Sequence, residues 1–172
     1  EPAHLEQLQT YSTPGRDARD SKMRVTSVAY LAFMPDPGTP RAGSDARLAR
    51  FWAVDDLPEF NSELTCEDGP TLAFDHAAML QDGLERAASK LEYTTLATAF
   101  VDEQFTISDL RRVYEAVWRN SIDAPNFSRK VKSASGFIES TGGKRATGRA
   151  PAGLFVKGGA DIISPPFFRP IE

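Results

Sequence analysis

A chain of 172 residues, 41% hydrophobic and 26% charged, has room for one ordinary domain or two small ones, and its longest apolar run, about Val28 to Met34, excludes a membrane-spanning helix. A single cysteine, Cys66, excludes a disulfide framework and a multi-cysteine metal site, while two histidines, His4 and His76, leave little for histidine catalysis or zinc; a reducing, cytoplasmic setting fits. The net charge of -4 argues against a uniformly basic nucleic-acid binder, and the opening at Glu1 has neither the basic start nor the apolar core of a secretory leader, as expected of a piece of a longer precursor.

Leu5 to Tyr11 alternates and predicts a short strand. Thr13 to Asp20, with Pro14-Gly15, predicts a polar turn. Met23 to Met34 is β-branched and aromatic and predicts a buried strand. Pro35 to Gly43 is a loop by its prolines and glycines. Ala49 to Val54 predicts another short strand that Asp55 to Pro58 turns away from, and Glu59 to Pro70 is irregular and acidic. From Phe74 to about Lys90 the apolar spacing becomes helical, with Asp75 as a cap, and Glu92 to Ala97 leads into a second helical stretch.

Thr106 begins a new helix, its hydroxyl paired with Asp109 in a variant of the capping box. Leu110, Val113, Tyr114 and Val117 form one apolar stripe on it. Asp123 and Pro125 start a third helix over Ala124 to about Ser133. Phe127 and Val131 point inward and leave Asn126, Ser128, Arg129, Lys130 and Lys132 outside. Gly136 ends this helix as a left-handed cap. Phe137 and Ile138 begin a strand, Thr141 to Arg149 is a glycine-rich basic hairpin tip, and Leu154 to Val156 returns. Three helices, a strand, a basic loop and a strand is the order of a winged helix-turn-helix.

The basic residues fall on this last part. Between Ile107 and Lys157 there are ten basic and four acidic residues, about +6, which leaves ten basic and twenty acidic, about -10, for the remainder. A helix-turn-helix places its second helix in the major groove. Asn126 suits an adenine edge and Arg129 a guanine; Ser128 shares the helix; Lys130 and Lys132 suit phosphates; Lys144, Arg145 and Arg149 suit the adjacent backbone or minor groove. About six neutralised phosphates give a salt slope of about -5. The competing reading is a solvated helix face and a plain turn.

Elsewhere the sequence offers less. Gly142-Gly143-Lys144 lacks the spacing and the strand-to-helix setting of a phosphate loop. Cys66 lies among acidic residues, which disfavour a thiolate. His76 beside Asp75 reads as a structural contact, and Asp55-Asp56 as a turn, although the pair could bind a cation. Trp52 and Trp118 read as packing residues.

Leu5 to Tyr11, Pro14 to Arg19, Val25 to Ala32, Trp52 to Pro58 and Leu72 to His76 resemble the back half of a Nudix domain. Lys90 to Thr95, Phe105-Thr106, Val113 to Glu115 and Asn126 to Lys130 resemble the winged helix appended to one Nudix subgroup, which includes the Nudix-related transcriptional regulators of NAD metabolism. The hydrolytic box of the family, built on Arg-Glu-x-x-Glu-Glu, is absent from the sequence; in the family its glutamates hold Mg²⁺ on a pyrophosphate. Either the chain is truncated after that box or the gene has lost it, and the absent front of the sheet leaves an edge strand open.

The reading is therefore an α+β protein: a partial Nudix-like β portion over residues 1–73, a winged helix-turn-helix domain over 74–160 and an extended C-terminal tail over 161–172 packed on one of the two. The resemblance implies a transcriptional regulator that binds double-stranded DNA, a homodimer, and a ligand such as ADP-ribose or a related NAD metabolite. No cofactor, metal or catalytic residue is expected in this chain and no membrane partner. No ligand residue is assigned; Arg16 and Arg19 could meet a phosphate but read better as a solvated turn. The alternative is a fragment of a Nudix pyrophosphohydrolase acting on a nucleoside diphosphate derivative, with the basic domain as an accessory, and a non-functional remnant is a third.

Overall fold

The alternation around Leu8 and the β-branched run after Arg24 both become strands: β1 (His4–Tyr11) and β2 (Ser27–Phe33) pair in a two-stranded sheet. Beyond them the chain runs through α1 (His76–Tyr93), α2 (Ile107–Trp118), α3 (Ala124–Ser133), β3 (Ile138–Arg145) and β4 (Ala152–Lys157), with three-residue-per-turn helices at Val54–Asp56 and Thr95–Phe100. This computed structural model describes residues 4–16, 24–35, 37–43, 47–57, 71–146, 148 and 150–170. Cys66 and the segment Glu59 to Pro70 lie outside the described residues, as do Arg19 and Arg149.

Two units divide the chain, one of residues 7–31 and 36–83, the other of residues 1–6, 32–35 and 84–172. In the first, Tyr11 donates its hydroxyl proton to Asp82 Oδ2 at 2.7 Å. Arg16 is neither a solvated turn residue nor a free phosphate partner. Its side chain is only 5% exposed. Its Nε and Nη2 donate to the two carboxylate oxygens of Asp75 at 2.7 and 2.6 Å, and Nη1 donates to Ser27 Oγ at 2.8 Å. The bidentate Arg16 grip holds the Asp75 carboxyl below the usual carboxylate range.

The expected strand over Ala49 to Val54 does not form. Those residues have no partner strand among the described residues, and the segment ends in the short helix Val54–Asp56. Strand propensity expresses a fit to a pleated, half-buried surface, and without a neighbouring ladder Phe51 and Leu48 stay exposed. Trp52 is likewise not a core residue; the Arg50 guanidinium lies 3.6 Å from its ring centroid.

In the second unit, an aromatic-rich core explains why the helices sit where they do. Leu91, Phe105, Leu110, Tyr114, Val131 and Phe137 are almost completely buried. The stripe on α2 divides into buried Leu110 and Tyr114 and half-buried Val113 and Val117. Trp118 does pack, edge-on to Tyr114 at 4.8 Å, and its indole N–H donates to the Ala88 carbonyl at 3.1 Å. Phe105 exchanges two backbone hydrogen bonds with Phe155 at 2.9 and 2.8 Å, adding a third short segment beside β3 and β4. Lys90 and Arg86 meet Glu6, and Phe33 lies between His4 and Phe100. The tail packs on this unit: Ile163 and Phe167 are buried in its core.

Candidate nucleic-acid interface

The helix-turn-helix is fixed before any basic side chain is placed. Thr106 and Asp109 make the full capping box at the start of α2: Thr106 Oγ1 accepts from the Asp109 N–H at 3.1 Å, and Asp109 Oδ2 accepts from the Thr106 N–H at 2.9 Å. Arg119 ends α2 in the left-handed region at φ 52°. A pair not singled out from the sequence then shapes the turn. Arg111 Nη1 donates to Glu115 Oε1 at 2.7 Å and to the Ile122 carbonyl at 2.9 Å, while the Ile122 N–H donates to the same Glu115 oxygen at 3.0 Å. Its sequence signal was the i,i+4 spacing.

Asp123 Oδ1 accepts from the Asn126 N–H at 2.9 Å and starts α3, with Pro125 in its first turn. Phe127 packs edge-on against Tyr114 at 5.1 Å and Val131 is fully buried, so one face of α3 is committed to α2. Helical spacing then puts Asn126, Arg129 and Ser133 on the outer face, with Lys132 beside them; all four are exposed. Ser128 is half-buried at one flank. Lys130 lies at the other, its Nζ 6.0 Å from the Phe167 ring centroid. Arg129 Nη2 donates to Asn126 Oδ1 at 2.6 Å. A bidentate adenine contact by Asn126 uses that same oxygen, so reading a base requires the two side chains to part.

The wing differs from its expected form. The glycines do not make the tip. β3 continues to Arg145, and between the pairs Ser140↔Phe155 and Lys144↔Gly153 the residues Thr141, Gly142 and Gly143 face Leu154 alone. Gly142 takes φ 73° in this bulge, a conformation suited to glycine. Gly136 is also left-handed, at φ 69°, but it lies beyond the α3 cap residue Ala134, in the turn into β3. Lys144 is exposed. Arg145 is engaged within the protein: its Nη1 donates to Asp109 Oδ2 and its Nη2 to the Gln104 carbonyl, both at 2.8 Å. Arg149 lies outside the described residues.

Burial acts to raise the Asp109 carboxyl, but hydrogen bonds from the Thr106 backbone and hydroxyl and the charges of Arg145 and Arg112 outweigh it and hold the group below the usual carboxylate range. By contrast, Arg129, Lys130, Lys132 and Lys144 have no carboxylate partner among the described residues. The arrangement presents four uncompensated positive charges on α3 and the wing, with neutral hydrogen-bonding groups between them.

Other candidates do not converge. His76 meets Phe74 edge-on at 5.8 Å. Among the described residues no three His, Cys, Asp or Glu side chains are grouped in a way that could hold a metal. No described helix is long and apolar enough to cross a membrane.

Residues 97–156 match the family model described as the NrtR DNA-binding winged helix domain. Over 84 residues, 49% of this chain and 33% of the relative, the sequence is 32% identical to an ADPR-responsive transcriptional repressor of Acinetobacter baylyi, so the match spans a third of that protein's length. A crystal structure of Shewanella oneidensis NrtR superposes with a TM-score of 0.67 at 30% identity, covering 99% of this chain and 71% of that one. The same protein complexed with a 27mer DNA gives a TM-score of 0.64 at 24% identity over the same shares. A MutT/nudix family protein from Enterococcus faecalis gives 0.63 at 25% identity, covering 89% of this chain and 61% of that one.

Proposed function

The chain belongs to the NrtR family of Nudix-related regulators, and from that premise we propose that it is a DNA-binding transcriptional regulator that reads duplex DNA through α3 and the β3–β4 wing. The observation that carries the reading is the outer face of α3. Arg129 and Lys132 stand there without acidic partners, beside Asn126, on a helix whose opposite face is locked by Phe127 and Val131. Major-groove recognition needs this combination of a rigid inner face and an exposed face of short polar and basic side chains.

In this reading Asn126 and Arg129 contact bases, Ser128 flanks them, and Lys130, Lys132 and Lys144 neutralise phosphates. Arg149, outside the described residues, is kept as a further phosphate contact on sequence grounds alone. Arg145 serves the interface by fixing the loop end of the wing. The reading places 1–73 as a partial Nudix-like portion and 74–160 as the winged helix, working as a homodimer in the cytoplasm. ADP-ribose or a related NAD metabolite is its effector; support for this comes from the Acinetobacter baylyi relative, which is described as ADPR responsive.

A salt series of DNA binding tests the proposal. The probes are the duplex that the chain enriches from random-sequence DNA and its scrambled counterpart. Three phosphate-competent lysines give a slope of log K against log salt of about -3 per protomer, shallower than the six-cation figure. Arg129→Ala should abolish the preference between duplexes. Lys144→Ala should weaken both and make the slope shallower by about 0.9. Equal, weak binding to both duplexes sinks the sequence-specific reading.

A further inference from the structure

The matching winged-helix family model ends at residue 156, yet the core of this domain does not. The chain continues past β4 into an arm whose backbone is stitched along the end of α1. The Thr95 N–H donates to the Asp161 carbonyl at 3.1 Å, the Ile163 N–H to the Tyr93 carbonyl at 2.8 Å, and the Phe167 N–H to the Glu92 carbonyl at 2.6 Å. These bonds deliver Phe167, 3% exposed, into the middle of the helix-turn-helix.

Its ring centroid lies 5.9 Å from that of Tyr114 on α2, 6.3 Å from Phe127 on α3 and 5.8 Å from Phe137 at the entry to β3. Phe167 thus touches both helices of the motif and the start of the wing. The adjoining small hollow is lined by Asn126 and Lys130 of α3 together with Phe167, Phe168 and Pro170 of the arm. The arm is held from outside by Arg169, whose Nη1 and Nη2 donate to the two Glu85 oxygens at 2.9 and 2.6 Å and whose Nε meets Glu92 at 2.8 Å. The Arg169 hydrogen bonds hold the Glu85 carboxyl below its usual range, as expected of a formed bidentate pair.

We infer that Phe167 is a positioning residue for recognition helix α3, and that Arg169 is the clamp that keeps it seated. The inference rests on the DNA-binding reading. The physical argument is one of packing geometry. Only two large α3 side chains, Phe127 and Val131, enter the core, so the rotation of this ten-residue helix about the line joining them is set by what packs beside that line. Phe167 packs against the side of Phe127, and its ring lies toward the Lys130 flank, where it blocks that rotation. Base contacts demand such placement, because a donor displaced from a base edge loses the contact. Phosphate contacts by flexible lysines tolerate it.

The difference gives a readout that a merely structural role does not move. In the full chain, Phe167→Ala, Phe167→Leu and Arg169→Gln are compared with the parent at a temperature where circular dichroism shows each fully folded. The probes are the duplex enriched by the parent from random DNA and its scrambled counterpart. Loss of one base contact lowers affinity for the enriched duplex by about fivefold to a hundredfold, while binding to the scrambled duplex and its salt slope stay within about twofold. Phe167→Leu, which keeps most of the volume, should restore much of the preference, and Arg169→Gln should show a smaller loss of the same kind. If Phe167→Ala does not fold, Arg169→Gln and Phe167→Leu decide. A parent chain that prefers neither duplex overturns the regulator reading and this inference with it. A parent that discriminates, with folded arm variants that discriminate equally well, overturns this inference alone.

Discussion

Tyr114 is the largest fully buried side chain, and its phenolic oxygen has no hydrogen-bond partner among the described residues. Burial pushes the phenol above its usual range, so the group stays protonated through any working pH. An unpartnered buried hydroxyl costs about 1–3 kcal/mol, because the water bonds it gave up are not replaced. Tyr114→Phe removes that cost and keeps the ring contacts with Trp118, Phe127 and Phe167 at 4.8, 5.1 and 5.9 Å. Against the gain stands a void smaller than a methyl group, worth at most about 1 kcal/mol. The net expectation is a stabilisation of about 0.5–2 kcal/mol, read as a higher urea midpoint with unchanged m in circular dichroism at 222 nm. The gain should be the same at pH 6 and pH 9, since the phenol does not titrate between them. A variant destabilised by more than about 1 kcal/mol refutes the reasoning, for it would mean that the hydroxyl is satisfied in solution.

Asp109 sets an acid limit on the same unit: its carboxyl titrates below the ordinary range when folded, so its contribution is full above the unfolded value and fades as pH falls through the folded one. Asp109→Asn should therefore lower the urea midpoint at pH 7 and narrow its gap to the parent as pH drops below about 4; a gap that is constant with pH contradicts this. At Gly158 an added Cβ would collide with the Gly136 carbonyl oxygen, whereas at Gly159 it would meet nothing within 4 Å. Gly158→Ala should cost about 1–3 kcal/mol in thermal unfolding and Gly159→Ala well under half that, and equal costs would show that the turn relaxes.

What could be read from the sequence was what neighbours in sequence decide. The Thr106–Asp109 box and the Asp123–Pro125 start are local, and both helices begin where those residues put them. The inward pair Phe127 and Val131 followed from period alone, and it left the outer face of α3 as the remainder. The errors are places where a distant partner decides. Ala49 to Val54 has strand-forming residues and no ladder to join. Arg16 looks like a loop cation until Asp75, fifty-nine residues away, closes on it. The bulge at Gly142 depends on β4 register, which the hairpin residues of β3 do not encode by themselves.

Arg145 is a wing cation that the fold engages within the protein. In sequence it is one more cation beside Lys144; in the fold it joins Thr106 and Arg112 around a single carboxylate. Asp109 Oδ2 accepts from the Thr106 hydroxyl at 2.9 Å and from Arg145 at 2.8 Å, while Oδ1 accepts from Arg112 at 2.6 Å. The group that caps the first helix of the motif therefore also anchors the loop end of the wing. The proposed reading has helix and wing meet one duplex together, which requires their spacing to be held, and this charge-assisted bond 2.8 Å long ties one to the other. Under the proposed reading a cation committed in this way adds little to the salt slope, because its charge is already balanced within the protein. Under the proposed reading, the electrostatic grip on DNA falls to the lysines without a carboxylate partner among the described residues, Lys130 and Lys132 on α3 and Lys144 on the wing, with Arg129 left for a base.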